Sequence, residues 1–463
     1  MLFSSLTFLF CFFPLVVLIY FMLRPALQNY FLLLASLFFY AWGEPKYLLI
    51  MLSVITLNYL TGIGIHYFSS HKKLILIGSI FLNLAVLGFF KYTDFLIENL
   101  NLILKLNLPL LHIALPIGIS FYIFQSMSYS IDVYRGTVQA QKNIFKFALY
   151  VSLFPQLIAG PIVKYRDIAN EIDERTITLQ NVVDGLKRFI IGLSKKVVLA
   201  NTMGEVADKI YSTGANSITA DIAWLGAIAY SLQIFFDFSG YSDMAIGIGR
   251  MFGFHFLENF NYPYVANSIT DFWRRWHISL SSWFKEYLYI PLGGNRVSSF
   301  RRTINLIIVF FATGLWHGAS WNFIIWGLWH GFFLIVEKFS FTSFTSHSIQ
   351  NKILRHIYVV LVFIIGWVFF RADNLSVAID YLKVMFGIVT PSVVPYSIGF
   401  YLTQKVAVIG TIALLLCYDW QSPKFIESNY LEPIKMLYSI FLLLISITLI
   451  TSAGYNPFIY FRF

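Results

Sequence analysis

The chain has 463 residues, of which 58% are hydrophobic and 12% are charged, and its formal net charge is +10. A soluble domain is on average about half apolar and about one quarter charged, so this composition excludes an ordinary soluble enzyme and indicates a chain that lies in a lipid bilayer. The positive charge fits basic cytoplasmic loops. It does not favour nucleic-acid binding, because the sequence has no basic soluble domain that could carry that function.

Apolar runs recur along the whole chain, and they determine the predicted fold class. A helix needs about 20 apolar residues to cross roughly 30 Å of hydrocarbon. Runs that approach or reach this length cover residues 3–23, 47–65, 74–90, 218–236, 304–315, 357–370, 406–417 and 437–450. Several are short or interrupted by Pro, Gly or Ser, so we predict an all-α polytopic membrane protein with about nine to eleven transmembrane helices and additional re-entrant pieces.

The flanks of the first apolar runs indicate the orientation of the chain. The first run has no basic segment before it and no small-residue cleavage pattern after it, so we interpret it as a retained span. Arg24 and the basic segment 71–73 lie between predicted spans. The positive-inside rule places these loops in the cytoplasm and the N-terminus outside the cell.

The cysteines and the polar interruptions argue against disulfides and separate soluble domains. Cys11 and Cys417 both lie within apolar runs, so we predict that they are buried packing residues and not a disulfide. The polar interruptions at 164–181, 295–303, 339–351 and 421–433 are too short to fold independently. The chemistry is therefore expected to lie in the membrane-embedded part.

The segment QIFFDFSGYSDMAIGIG, residues 233–249, places polar side chains within an apolar run. Its polar group comprises Asp237, Ser239 and Asp243, with Gly240 among them. Small residues let a helix break or approach its neighbour closely, and the carboxylates can then bind an Arg, a Lys or a backbone amide. The segment lacks the second glycine of a nucleophile elbow, so we favour a structural role for this polar group.

An aromatic stripe follows in SITDFWRRWHISLSSWFKEYLYIPLGGNR, residues 268–296. Ser268 and Asp271 resemble a capping box, and PLGG at 291–294 supplies a stop signal. Between them, spacings of three and four predict one helical face that carries Trp273, Trp276, Leu280, Trp283 and Tyr287. Arg275 falls on the opposite face, as expected for a helix at the interface or at the wet rim of a cavity. From this stripe alone, the favoured interpretation of His277 is an interfacial histidine bound to a backbone carbonyl.

Two further histidines lie in GLWHGASWNFIIWGLWHG, residues 314–331. On one continuous helix His317 and His330 would point to different sides, so we do not expect them to act as a pair. No metal-ligand pattern such as H-E-x-x-H accompanies them, and no metal site is predicted. An ionisable group at membrane depth suggests function, whereas a neutral imidazole can also serve in a helix interface. Their positions alone leave both interpretations open.

Several of these segments together resemble one known family. The blocks FDFSGYSDMAIGIGRMFGF, ENFNYPY, SITDFWRRWHISLSSWFKEYLYIPLGGNR and GLWHGASWNFIIWGLWHG, in this order, are similar to the membrane-bound O-acyltransferase (MBOAT) family, in the bacterial AlgI-type branch typified by alginate O-acetyltransferase. The resemblance implies one domain over residues 1–463, with a core at roughly 115–335 and helices around a funnel across the membrane. It also transfers the family's essential histidine to His317 and its second histidine to His277.

The resemblance implies the chemistry as well. An acyl thioester, expected to be acetyl-CoA, approaches from the cytoplasm, His317 activates the acceptor hydroxyl, and His277 orients or polarises the acyl group. No bound cofactor or metal is expected. If the aromatic stripe lines the donor cavity, the donor contacts Trp273, Trp276, Trp283 and Arg275. The expected location is the bacterial cytoplasmic membrane, with an extracytoplasmic partner of the SGNH-hydrolase kind.

Other functions remain open at this point. The nearest alternative is a DltB-like D-alanyl transferase, which takes its acyl group from a carrier protein and serves teichoic acids. A polysaccharide or lipid transporter is less favoured, because the sequence has no pair of interrupted segments in matching positions. The polymer that receives the acetyl group is not indicated by the residues; an alginate-like exopolysaccharide and peptidoglycan are both candidates.

Overall fold

The computed structural model describes residues 1–344, 352–391, 393–418, 432–452 and 454–459. These residues form helices joined by loops, without a β-strand among them, so the predicted all-α class is confirmed. Two of the predicted polar interruptions, 339–351 and 421–433, lie largely outside the described residues. Each predicted apolar run falls largely within a helix, because helix formation satisfies the backbone internally in an apolar environment.

The chain divides into two compact units. The first unit comprises Met1–Phe189 and Tyr241–Leu257, and the second comprises Ile190–Gly240 and Glu258–Phe463. The α-helices that begin in the first unit are α1 (Phe13–Met22), α2 (Pro25–Ala41), α3 (Leu48–Tyr67), α4 (Lys72–Leu104), α5 (Ile119–Arg135), α6 (Ile144–Ser152), α7 (Phe154–Leu157), α8 (Tyr165–Asp173) and α9 (Leu179–Ser194).

A buried amide network joins three helices of the first unit. The side-chain nitrogen of Asn58 on α3 donates to Oδ1 of Asn83 on α4 at 3.0 Å, and Ser130 on α5 donates to Oδ1 of Asn58 at 2.9 Å. Both amides are fully buried. A buried polar group is costly unless it is hydrogen-bonded, so these reciprocal bonds hold the three helices together where apolar packing alone gives no direction.

The second unit contains the two segments that carry the candidate histidines, residues 268–296 and 314–331. Its α-helices are α10 (Asn201–Thr213), α11 (Ala220–Met251, which ends in the first unit), α12 (Ile269–Arg275), α13 (Ile278–Phe284), α14 (Ser299–His317), α15 (Trp321–Phe344), α16 (Lys352–Arg371), α17 (Leu375–Met385), α18 (Ile398–Tyr401), α19 (Gln404–Leu416) and α20 (Glu432–Ser452). π-Helical turns occur at Phe8–Phe12, Lys195–Ala200 and Lys285–Tyr289, and 3₁₀ turns at Pro45–Tyr47, Ala215–Ser217 and Pro263–Val265.

Within the described residues, five helices are long and apolar enough to cross a membrane. They are Pro45–Tyr67, Lys72–Leu104, Ala220–Met251, Lys352–Arg371 and Glu432–Ser452. Three shorter apolar helices are Phe8–Met22, Pro25–Ala41 and Gln404–Leu416. The protein is thus a multi-pass membrane protein. The count of about nine to eleven spans stays a prediction.

The helix predicted from residue 268 onward is real at its start but wrong in its length. The backbone N–H of Asp271 donates to the Ser268 hydroxyl at 2.9 Å, which confirms Ser268 as the helix cap, one of the two bonds of the predicted capping box. The helix ends at Arg275, however, and His277 adopts a left-handed conformation with φ of +43° before α13 begins. Asn259 causes the break, because its backbone carbonyl accepts the Ile278 N–H at 2.9 Å and its side chain accepts the next N–H, so these donors leave the helical pattern. The predicted single aromatic face is therefore wrong.

The two cysteines behave differently from each other. Both are free thiols; Cys417 is buried, but Cys11 is exposed. The prediction that Cys11 is buried is wrong, because it lies on the outward face of a short apolar helix beside the exposed side chains of Phe10 and Leu15. In a membrane protein an apolar run can face lipid as well as the core, so hydrophobicity alone does not predict burial.

Candidate active site

His317 is the last residue of α14 and lies in an aromatic enclosure. Gly318 is extended and ends the helix, which leaves His317 at the turn into α15. The side chain is 5% exposed. Its ring centroid lies 4.9 Å from Trp316, 4.9 Å from Trp326 and 5.1 Å from Phe370. A reacting group at this imidazole would be shielded from bulk water, which disfavours hydrolysis of an acyl donor.

His277 lies at the break between α12 and α13 and is also buried. Its Nδ1 lies 3.1 Å from Oδ1 of Asn259, so the partner is a side-chain amide and the predicted backbone carbonyl is wrong. Its ring contacts Phe238 at 4.6 Å and Trp316 at 6.0 Å. Trp316 therefore contacts both His277 and His317. The tertiary structure places His277 against Trp316, the residue that precedes His317, so the two histidines that the family resemblance selected both contact one indole.

Burial decides the charge of His277, which lies outside the five candidate membrane-crossing helices. Removal of the imidazole from solvent disfavours its charged form and lowers the pKa of His277 to about 3. The ring is therefore neutral at physiological pH. A neutral imidazole has one N–H donor and one acceptor nitrogen, so it can take or hold a proton.

His330 lies on α15, the helix that follows His317 after a short turn. The chain reverses between α14 and α15, so the two histidines do not belong to one continuous helix. The indole of Trp326 contacts both rings, with centroids 4.9 Å from His317 and 5.4 Å from His330. His330 is fully buried and also contacts Trp273 at 5.2 Å. The sequence did not predict that His317 and His330 act as a pair. In the structure, the indole of Trp326 contacts both rings.

A large cavity in the second unit lies next to this aromatic cluster. Its volume is about 770 Å³. The lining residues are Thr270, Trp273, Arg274, Ile278, Leu280, Ser281, Ser282, Phe284, Lys285, Tyr289, Asn295, Leu306, Val309, Phe310, Thr313, Leu334, Glu337 and Lys338. The cavity thus combines an apolar wall with three cationic side chains, a composition that suits an amphipathic anionic ligand.

The cavity includes only one of the four residues predicted for donor binding. Trp273 lines it, whereas Trp276 and Trp283 are buried and are not among its lining residues. Arg275 instead pairs with Asp271 at 3.0 Å, and its neighbour Arg274 takes its place in the lining. Leu280, which follows the break at His277, lines the cavity together with Trp273, so the cavity takes residues from both parts of the predicted stripe but not its other tryptophans.

Glu337 connects α15 to the start of α12. Its carboxylate accepts hydrogen bonds from the backbone N–H of Ile269, and from the N–H and hydroxyl of Thr270 at 2.9 and 2.8 Å. Negative charge at a helix N-terminus is favourable, and these bonds compensate the burial of the carboxylate. Neither Glu337 nor Asn259 was predicted as a site residue. Asn259 lies in the quoted block ENFNYPY, which was the only sequence signal for it.

The polar group at residues 237–243 makes ion pairs. In the second unit, Asp237 pairs with Lys196 at 2.8 Å, with both side chains 3% exposed or less, and accepts the backbone N–H of Ile459 at 2.9 Å. In the first unit, Asp243 pairs with Arg188 at 2.8 Å. These partners are a lysine, an arginine and a backbone amide. Ser239 is buried between the two carboxylates along α11, which continues without a break.

Among the described residues, no group of three or more His, Cys, Asp or Glu side chains is arranged to hold a metal ion. The reactive groups that the second unit offers are the two imidazoles beside Trp316 and the cavity with its basic residues.

Comparison with known proteins decides the family. The sequence profile of the membrane-bound O-acyltransferase family matches residues 140–376, a range that contains His277, His317 and the cavity. The chain is 46% identical over 396 residues to the probable alginate O-acetylase AlgI of Azotobacter vinelandii, which covers 84% of this chain and 78% of that protein. The chain belongs to the membrane-bound O-acyltransferase family.

Two further relatives of this membrane-bound O-acyltransferase have other polymers in their names. It is 38% identical to the peptidoglycan O-acetyltransferase of Helicobacter pylori, in an alignment that covers all of this chain and 98% of that protein. It is 27% identical over 237 residues to the teichoic acid D-alanyltransferase of Bacillus subtilis, which covers 48% of this chain and 59% of that protein. The chain is an O-acyltransferase.

Proposed function

We propose that this O-acyltransferase takes an acetyl group from acetyl-CoA on the cytoplasmic side of the bacterial inner membrane and delivers it for O-acetylation of an extracytoplasmic polysaccharide. The observation that carries the proposal is that the buried rings of His277 and His317 both contact the indole of Trp316. The names of the alginate and peptidoglycan O-acetylating relatives support the substrate class. An alginate-like exopolysaccharide and peptidoglycan are the two candidate polymers.

In the proposed reaction, His317 takes the proton of the acceptor hydroxyl while the hydroxyl oxygen attacks the carbonyl carbon of the thioester. A C–O bond forms, the C–S bond breaks, and the sulfur leaves as a thiol after it receives a proton. His277 orients or polarises the reacting groups. A positioned general base contributes about 10²- to 10⁴-fold in rate, and the aromatic enclosure protects the thioester from water.

The cavity of about 770 Å³ is the proposed donor site. Arg274, Lys285 and Lys338 would bind the phosphates of CoA, and the apolar wall would contact the rest of the donor. Trp273 lines the cavity and contacts Trp326 at 5.8 Å, which in turn contacts His317.

A partner completes the proposed pathway. Positioning of a polymer chain needs an extended polar and aromatic groove, and the predicted polar segments of this chain are short. We therefore propose that an SGNH-hydrolase-like protein outside the membrane receives the acyl group before the polymer does. The N-terminus would lie on that same outer side, as the basic loops at Arg24 and 71–73 indicate.

The test is reconstitution in liposomes with labelled acetyl-CoA inside and either polymer outside, with and without the partner. We expect transfer from acetyl-CoA to the partner or to a small surrogate hydroxyl, and efficient polymer acetylation only when the partner is present. A D-alanyl carrier-protein thioester is the alternative donor. Use of that thioester and not acetyl-CoA would establish the D-alanyl function, and efficient polymer acetylation by this chain alone would refute the relay.

Two histidine variants test the assignment of the base. His317→Ala should abolish acetyl transfer, and its fold is checked by thermal unfolding in detergent, because removal of this buried imidazole leaves a cavity among Trp316, Trp326 and Phe370. His330→Ala is the matched control, since it removes an equally buried imidazole from the same aromatic cluster and should retain the chemistry. An active His317→Ala protein would contradict the assignment.

A further inference from the structure

The hydrogen bonds around His277 specify which of its nitrogens carries the proton. Oδ1 of Asn259 accepts the backbone N–H of Ser279 at 3.2 Å and the hydroxyl of Ser279 at 2.9 Å. A backbone N–H is always a donor, so the atom that faces it must be the amide oxygen and not the amide nitrogen. The orientation of the Asn259 amide is therefore determined by its neighbour.

The same oxygen lies 3.1 Å from Nδ1 of His277. An amide oxygen can only accept a hydrogen bond, so Nδ1 must carry the proton. A neutral imidazole has one N–H, and Nε2 is then left with its lone pair. Among the described residues Nε2 is buried and has no hydrogen-bond partner. The free lone pair of His277 thus faces a place where the protein itself supplies no donor.

We propose that Asn259 is a positioning residue that fixes this tautomer, so that His277 presents a hydrogen-bond acceptor at Nε2 to a hydroxyl or amide N–H of the bound substrate. This inference rests on the proposed place of His277 in the active site. Two roles were proposed for His277, to orient or to polarise the reacting groups, and the tautomer favours the orienting role. A nitrogen without a proton cannot donate to the thioester carbonyl, so the neutral ring does not polarise the acyl group.

The backbone supports the same arrangement. His277 has φ of +43°, in the left-handed region that residues other than glycine adopt uncommonly, although Asn, Asp and His do so more often than the rest. The backbone carbonyl of Asn259 accepts the N–H of Ile278 at 2.9 Å, so Asn259 binds this short segment through both its main chain and its side chain. Strained conformations persist where surrounding bonds overdetermine them, and they cluster at functional sites.

The ring of His277 has uncharged contacts. It contacts Phe238 on α11 and Trp316 on α14, in addition to Asn259 and Ser279. Four titratable or charged groups lie next to these contacts in the chain: Asp237, Glu258, Arg275 and His317. Asp237 pairs with Lys196, Arg275 pairs with Asp271, and Glu258 is exposed. A carboxylate introduced at position 259 would therefore be the only charge placed directly on Nδ1.

The decisive variant is Asn259→Asp in the full-length protein, assayed for acetyl transfer from acetyl-CoA to a surrogate hydroxyl across a range of pH. The carboxylate keeps the acceptor for Nδ1–H and for Ser279, but it stabilises the protonated imidazole. An opposite charge at this distance raises a pKa by about one to three units. Protonation removes the Nε2 lone pair, so the acid limb of the kcat profile should move up by about one to three pH units, with activity recovered above it.

The control for the added charge is Asn267→Asp, because Asn267 is exposed and bonds only locally to the backbone of Val265. Its pH profile should match that of the unmodified protein. An Asn259→Asp protein with an unshifted profile would overturn the inference, since a merely structural Asn259 would tolerate this replacement without a change in titration.

Asn259→Ala supplies a second test. Loss of the partner that orients a metal-bound histidine lowers activity about 10- to 100-fold; by analogy we expect a fall of that order in kcat and not a rise in the KM for the donor. Incorporation of Nδ1-methylhistidine at position 277 in this variant forces the lone pair onto Nε2 and places the methyl group in the vacated space. Restored activity supports the inference, and no restoration overturns it.

The outcomes separate this inference from the proposed function. If His277→Ala is fully active, His277 takes no part in the reaction, and both its proposed role and the tautomer inference are refuted. If His277→Ala is inactive while Asn259→Ala and Asn259→Asp both behave like the unmodified protein, the site stands and only the tautomer inference fails.

Discussion

Replacement of Gly314 by alanine should disable the enzyme through a displacement of less than 1 Å. Gly314 lies three residues before His317 on α14, where that helix packs against α15. A Cβ at this position would lie 2.5 Å from the carbonyl oxygen of Phe323 and 3.1 Å from the Cα of Ile324. Carbon–oxygen contacts normally require about 3.3 Å, so the helices must separate locally by about 0.8 Å.

The displacement acts on both stability and rate. Overpacking of this kind costs about 1 to 3 kcal/mol, and the greater helix propensity of alanine offsets about 1 kcal/mol of that. The larger effect falls on catalysis, because His317 and Trp316 move with the end of α14. A misplacement of about 1 Å costs about 100-fold in rate, so we expect kcat to fall by about that factor with little loss of folded protein.

The assay is acetyl transfer from acetyl-CoA by purified protein, together with thermal unfolding in the same detergent. Gly88→Ala is the matched control, since Gly88 is also a helical glycine and no described atom lies within 4 Å of its added Cβ. It should leave both the rate and the stability close to those of the unmodified enzyme. A Gly314→Ala enzyme with an unchanged kcat would refute the argument that the helix contact positions His317.

Three further outcomes are expected. Asp237→Asn leaves the Lys196 ammonium buried without its counter-ion, so denaturation in detergent should show a loss of about 3 to 5 kcal/mol in unfolding free energy; a loss below 1 kcal/mol would contradict this. Glu337→Ala removes the acceptor for the start of α12 and should lower kcat, whereas Glu337→Gln should recover part of it; equal rates in all three proteins would exclude a role in positioning. The double variant Lys285→Ala/Lys338→Ala should raise the KM for acetyl-CoA about tenfold without changing the KM for an acetyl thioester that lacks phosphates, and an equal effect on both donors would argue against phosphate binding there.

The long-range partners of the site residues explain why sequence patterns found some features and missed others. Asn259 and His277 are 18 residues apart, and Glu337 and Thr270 are 67 apart, so no helical periodicity relates them. The stripe that begins at Ser268 has spacings that favour one long helix. The competing hydrogen bonds from Asn259 end that helix, and these bonds exist only in the folded chain.

The cavity shows the same limit. The predicted donor-binding group contained Trp273 and Arg275, yet only Trp273 lines the cavity, because Arg275 turns to Asp271. A one-residue difference between Arg274 and Arg275 changes the face of the helix by about 100°. Which of these faces is turned to the cavity depends on the helices packed around α12, and the periodicity does not contain that information.

Sequence patterns were enough to predict the all-α membrane fold class, the cap at Ser268 and, through the resemblance, the acyltransferase family. Composition and local spacing suffice for these, because the lengths of apolar runs and the first turn of a helix depend on neighbours along the chain. The contact of His277 with Trp316, the hydrogen bond between Asn259 and His277, and the exposure of Cys11 became evident in the folded protein alone. These depend on which helix faces meet in space, and that is set by packing between residues far apart in sequence.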